Sequence, residues 1–225
     1  MHAFNVKRLR PVELGPFDYE RPPTTASLWV SEGLTTYYGD LAVTRAGVGS
    51  LEDFLAGTSS RIRQLQASPG RLVQTLEQSS LEVWTNSTSG VGTDPATTVS
   101  YYVKGAVVGL LLDARIRRLT RDTKSLDDVM RLALARFGGE HGFTPGEFEA
   151  TASEVAGAEL SGWFAHAIRS TAELDYGEML DWWGLRFAEA DPGDPATAWA
   201  LEIRPDATAE QRRHLERLAQ GGTGL

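Results

Sequence analysis

The chain is expected to fold as a mainly α protein, and three observations carry that expectation. Apolar residues recur at helical spacing from about residue 26 to residue 183. Helix-start chemistry repeats along the chain, with a hydroxyl residue set just before an apolar run. Only one short stretch, 199–203, reads as a possible strand.

Taken in order, residues 26–46 place Trp29, Leu34, Tyr37, Tyr38, Leu41 and Ala42 at roughly 3.6-residue spacing, with Gly47 as the stop. Ser50 followed by Asp53 starts a helix over 51–67, which Ser68, Pro69 and Gly70 end. The polar stretch 85–98 has no apolar face and reads as a loop. Residues 99–120 are apolar around most of their girth, which predicts a central helix. Ser125 opens a helix through Phe137, Thr144 caps another with Pro145 in its first turn, and LSGWFAHAIR continues the pattern. A short helix is expected over 175–183, a linker over 191–197 and a charged helix from Thr208 to about Ala219. Trp29, Tyr37, Tyr38, Trp182 and Trp183 are expected in the core, and so is His166 on its apolar helix. Arg115, Arg117, Arg118 and Arg121 read as helix-surface charge.

Composition excludes several classes. A net charge of −8 argues against a nucleic-acid surface, which needs clustered lysine and arginine. With no cysteine, a metal would have to be held by histidine and carboxylate. The longest apolar run, GAVVGLLLDARI, is broken by Asp113 and is too short to span a bilayer, so a soluble protein is expected. No signal peptide is seen and the compartment is unreadable. There is no G-x-S-x-G elbow, phosphate loop or dinucleotide fingerprint.

One motif carries chemistry. In an H-E-x-x-H helix the two histidines bind zinc from one face, and the intervening glutamate is the general base for the zinc-bound water. HAFNVKRLRP, residues 2–11, looks like the latter part of such a motif, with His2 as its final histidine and Met1 where the last x would stand. WVSEGLTTYY then places Glu32 on an apolar-faced helix, where a carboxylate is costly to bury unless a cation neutralises it. Residues 100–105, SYYVKG, add Tyr102. Each also has a plain structural reading: a terminal histidine, a solvated helix glutamate, a core tyrosine. His141, His166 and His214 offer no further ligand at a useful spacing.

The ordered stretches 2–19, 28–41 and 100–117, with a weaker fourth at 175–187, resemble the glycyl aminopeptidase family of gluzincin zinc metallopeptidases, whose members often carry a PDZ domain. The resemblance implies the helical C-terminal half of a thermolysin-like catalytic domain over 1–190. A linker and short tail over 191–225 would follow, too short for a complete PDZ domain. It implies His2 and Glu32 as zinc ligands and Tyr102 as the hydrogen-bond donor to the oxyanion, with Tyr101 as the fallback. Twenty-nine residues separate His2 from Glu32, a spacing longer than is usual among gluzincins, and the insertion PVELGPFDYERPPTT accounts for the excess. The implied activity is zinc-dependent removal of small N-terminal residues, glycine or alanine, from a peptide substrate. Because the first histidine and the glutamate base of the motif are not in this sequence, the chain is expected to be inactive as it stands. The alternative is a non-enzymatic helical binding module or a decayed paralogue.

Overall fold

The computed structural model describes residues 1–16, 18–84 and 94–221. Among these the chain is mainly helical. A π-helical turn, Trp29–Gly33, runs directly into α1 (Leu34–Arg45). There follow α2 (Leu51–Ala67), α3 (Leu76–Leu81), α4 (Tyr101–Leu119), α5 (Leu126–Phe137), α6 (Pro145–Ala156), α7 (Ser161–Arg169) and α8 (Gly177–Trp183). Strands β1 (Leu185–Phe187) and β2 (Leu201–Ile203) pair antiparallel with Leu185 opposite Ile203, and α9 (Ala209–Gln220) closes the described chain.

Local chemistry sets most helix starts. Ser50 with Asp53, Ser125 with Asp128, Thr144 with Glu147 and Thr208 with Gln211 form capping boxes, each satisfying two backbone N–H groups that the first turn leaves unpaired. The loop expected over 85–98 lies in part outside the described residues. Its remainder, 94–98, is a turn in which Thr97 N–H and Thr98 N–H donate to Asp94 O. Helix α3 and strand β1 were not read from the sequence, since runs of six and three residues are too short to show a period.

Helix α4 is central, packing against the π turn, α1, α2, α3, α5, α6 and α8. Its apolar girth is interrupted by a buried polar network. Asp113, 1% exposed, accepts from Tyr37 Oη at 2.8 Å, Arg117 Nε at 3.1 Å and Leu126 N at 2.8 Å. Arg117 therefore departs from the surface reading. It is buried between Asp113 and Asp122, because the chain after α4 turns through left-handed Arg121 and Asp122 and brings the second carboxylate back to 2.8 Å from its guanidinium. Arg118 and Arg121 are exposed as expected.

His166 also departs from expectation. On α7 the inward positions are Phe164, Ala167 and Ile168, so His166 faces outward, exposed, with Nε2 3.0 Å from Glu173 O. Trp29, Tyr37, Tyr38 and Trp183 are buried, while Trp182 is half-buried and stacks on His214 at 3.7 Å. Among the described residues no helix is long and apolar enough to cross a membrane.

Candidate metal and catalytic site

The site is assembled where the N-terminal segment, the π turn and the first turn of α4 meet. The π turn is anchored from several sides. Trp29 sets its ring edge-on to Phe148 at 5.8 Å, and its backbone N–H donates to Ser80 Oγ at 3.3 Å. Leu34 N–H reaches back five residues to Trp29 O, which widens the turn and breaks the ordinary i−4 ladder. Three consecutive carbonyls in this turn then take side-chain donors. Asn5 Nδ2 donates to Val30 O at 2.7 Å and to Ser31 O at 3.3 Å, and Thr36 Oγ1 donates to Glu32 O at 2.8 Å.

Glu32 is held beside α4 by two glycines. A Cβ on Gly33 would stand 2.6 Å from Gly105 Cα, and one on Gly105 would stand 2.9 Å from Gly33 Cα. Only two residues without side chains allow backbones to approach this closely. Because Tyr101 and Tyr102 lie about one turn before Gly105, the crossing brings their phenols toward the Glu32 carboxylate.

The three residues singled out from the sequence are thus brought together. His2 Nε2 lies 3.3 Å from Glu32 Oε2, with the histidine largely exposed and the glutamate about a quarter exposed. His2 Nδ1 is 3.4 Å from Asn5 O, which leaves Nε2 as the nitrogen facing the carboxylate. The Tyr102 phenol is held above its ordinary pKa, first by burial and then by the Glu32 charge, with Tyr101 acting the other way. Tyr101 is stacked on it at 4.8 Å and is raised too, by burial foremost and then by its interaction with Tyr102. Both hydroxyls therefore keep their protons at neutral pH, Tyr101 interacting with Tyr102 and Tyr102 with Glu32.

The geometry can be tested against zinc. Zinc bonds to imidazole and carboxylate are about 2.0–2.2 Å, so two ligands on a tetrahedral ion lie roughly 3.3–3.5 Å apart. The spacing of His2 Nε2 and Glu32 Oε2 at 3.3 Å fits that edge. A catalytic zinc site uses three protein ligands and keeps one position open. Among the described residues no group of three histidines, cysteines or carboxylates converges on a point, so His2 and Glu32 stand as a pair. A cavity of about 380 Å³ lies elsewhere, between the end of α2 and residues 95–103, and its lining includes neither His2 nor Glu32. Asn5 and Gly105 were missed as site-forming residues. A lone amide in an otherwise basic and apolar stretch, and a glycine one turn after a tyrosine pair, were the signals available.

Residues 1–108 match the family model of the M61 glycyl aminopeptidases. The crystal structure of an aminopeptidase N family protein from Idiomarina loihiensis superposes with a TM-score of 0.77 at 26% identity, over 82% of this chain. The chain spans 32% of that protein's length. No curated protein matches the chain.

Proposed function

Residues 1–108 belong to the M61 glycyl aminopeptidase family, and from that premise we propose that His2, Glu32 and Tyr102 are this chain's share of a zinc aminopeptidase site. The peptide substrates would be ones with small N-terminal residues, glycine or alanine. The observation that carries the reading is the 3.3 Å contact of His2 Nε2 with Glu32 Oε2, a tetrahedral edge set beside a tyrosine donor. In this reading 1–190 is the peptidase portion and 191–225 a linker and short tail.

His2 and Glu32 would hold the zinc through one nitrogen and one carboxylate oxygen. A zinc held there would supply Lewis acidity toward the scissile carbonyl. Tyr102 does the work that needs no metal. Its protonated hydroxyl, fixed at the start of the rigid helix α4, donates to the oxygen that gains charge as the peptide carbonyl is attacked, a contribution of about 3 kcal/mol when aligned. Tyr101, stacked against it, restricts the ring and gives the hydroxyl a fixed direction.

Two ligands and, among the described residues, no base beside them set the expected behaviour of the chain alone: weak zinc binding and no measurable turnover. Loss of a general base is generally worth about two to four orders of magnitude. The same shortfall is what favours the second reading, a non-catalytic helical binding module. Assaying the chain, and a form carrying His-Glu-x before Met1, against an alanyl or glycyl anilide with zinc content measured on both separates the two. Activity and stoichiometric zinc in the extended form alone are expected. Equal activity in both would overturn the account of the missing ligand and base, and inactivity of both would favour the binding module.

A further inference from the structure

Asn5 is buried completely, yet it lies in an irregular segment within four residues of the described N-terminus. Its Nδ2 spends two N–H bonds on three acceptors, all from the segment that carries Glu32. They are Val30 O at 2.7 Å, Ser31 O at 3.3 Å and Thr35 Oγ1 at 3.1 Å. The acceptors bracket Glu32 on both sides, and two of them are carbonyls of the π turn. The amide orientation is fixed by this set, since a carboxamide oxygen placed there would face two carbonyl oxygens. Asn5 Oδ1 has no partner among the described residues, so the contact is made by the donated bonds.

A second observation points the same way. Val6, directly after Asn5, has a φ of 102°, a conformation a β-branched residue adopts only at a cost and only where its surroundings enforce it. On the other side, His2 lies within a single turn of Asn5, with its Nδ1 3.4 Å from Asn5 O. One residue thus ties the backbone that carries the imidazole to the backbone that carries the carboxylate. Without it, an exposed histidine on a segment with no regular secondary structure has little to hold it against Glu32.

We infer that Asn5 is a positioning residue, which sets the spacing of His2 and Glu32 by clamping the N-terminal turn onto the π turn. Its functional consequence rests on the zinc-site reading above, but the clamp itself does not. Residues that orient metal ligands through hydrogen bonds typically cost about 10–100-fold in metal affinity when replaced.

The test compares wild type with Asn5→Leu and Asn5→Ala, and with Leu218→Ala as a control destabilised in α9, which packs on α8 and α1 and where Leu218 is fully buried. The first readout is the nuclear Overhauser effect between the His2 ring and the Glu32 γ-methylene protons, with no metal present. The second is Zn²⁺ affinity by calorimetry. The expected result is that both Asn5 variants keep helical circular dichroism but lose the His2–Glu32 contact and bind Zn²⁺ about 10-fold or more weakly, while Leu218→Ala keeps both properties. Persistence of the contact in a folded Asn5 variant, or its equal loss in Leu218→Ala, overturns the inference. Should both Asn5 variants fail to fold, Thr35→Val decides. It removes one acceptor at nearly constant shape, so a weakened contact supports the clamp and an unchanged one overturns it. A contact that follows Asn5 in a protein with no Zn²⁺ affinity would sink the zinc reading and leave the clamp standing.

Discussion

Replacing Gly33 by alanine tests whether a glycine crossing is what brings Glu32 to α4. The added Cβ would stand 2.6 Å from Gly105 Cα, 2.7 Å from Gly105 carbonyl carbon and 2.9 Å from Tyr101 O. Carbon atoms rest at about 3.5–4.0 Å, so the π turn must retreat by roughly 1 Å. All three obstacles are backbone, and no side-chain rotamer can relieve them. Overpacking of this kind costs about 1–3 kcal/mol, and the upper end applies where both partners are main chain. Alanine recovers up to about 1 kcal/mol of helix propensity, which leaves a net loss of about 2 kcal/mol. For a domain of this size that lowers Tm by roughly 4–8 °C. Gly39 supplies the control. It is exposed on α1, and its Cβ would meet nothing within 4 Å. Gly39→Ala should therefore stabilise by about 0.5–1 kcal/mol, chiefly through the unfolded chain. Thermal unfolding followed by circular dichroism reads both variants. If Gly33→Ala melts at or above wild type while retaining helical content, the close approach is not what holds the π turn, and the reasoning fails.

Two further substitutions address the interior of α4. Asp113→Ala removes the acceptor shared by Tyr37, Arg117 and Leu126 N, leaving a buried guanidinium whose one remaining ion pair among the described residues is with Asp122. It should cost about 3–5 kcal/mol in urea unfolding, and a loss below about 1 kcal/mol would show the network is not structural. Lys104 is 2% exposed, has no ion pair among the described residues, and is pushed down to about 8, first by burial, against an ordinary value of 10.5. Between those values the unfolded chain holds a proton that the folded chain has released, so stability rises with pH through that window and is lost again as pH falls through 8. Lys104→Met should thus be the more stable protein at pH 7, by up to about 3 kcal/mol. Its advantage should shrink by about 2 kcal/mol by roughly pH 9.5. An advantage that does not change with pH would contradict an unpaired buried ammonium.

What could be read from the sequence follows the range over which each feature is determined. Helix starts at Ser50, Ser125, Thr144 and Thr208 are fixed within four residues by the cap and its third-position partner, and they were legible. The centrality of α4 was legible because an apolar girth has no other stable placement. Arg117 was not legible, since its burial depends on a left-handed turn at Arg121 and Asp122 that returns a carboxylate to it. A window that sees only a basic run reads such a residue as surface charge. His166 was misplaced because the composition of its helix was weighed before its angular position relative to Phe164 and Ile168.

The candidate site divides in the same way. Glu32 and Tyr102 stood out as residues, through a costly carboxylate and a resemblance, but nothing local connects them across seventy positions. The connection is made by groups that carry no chemistry of their own. Gly33 and Gly105 contribute the absence of side chains, and Asn5 contributes one amide donated to three acceptors of another segment. The π turn belongs with them. An i+5 register is not a propensity of WVSEG. It arises where the turn meets α4 on one side and Asn5 on the other, so it could be read only from the packed structure.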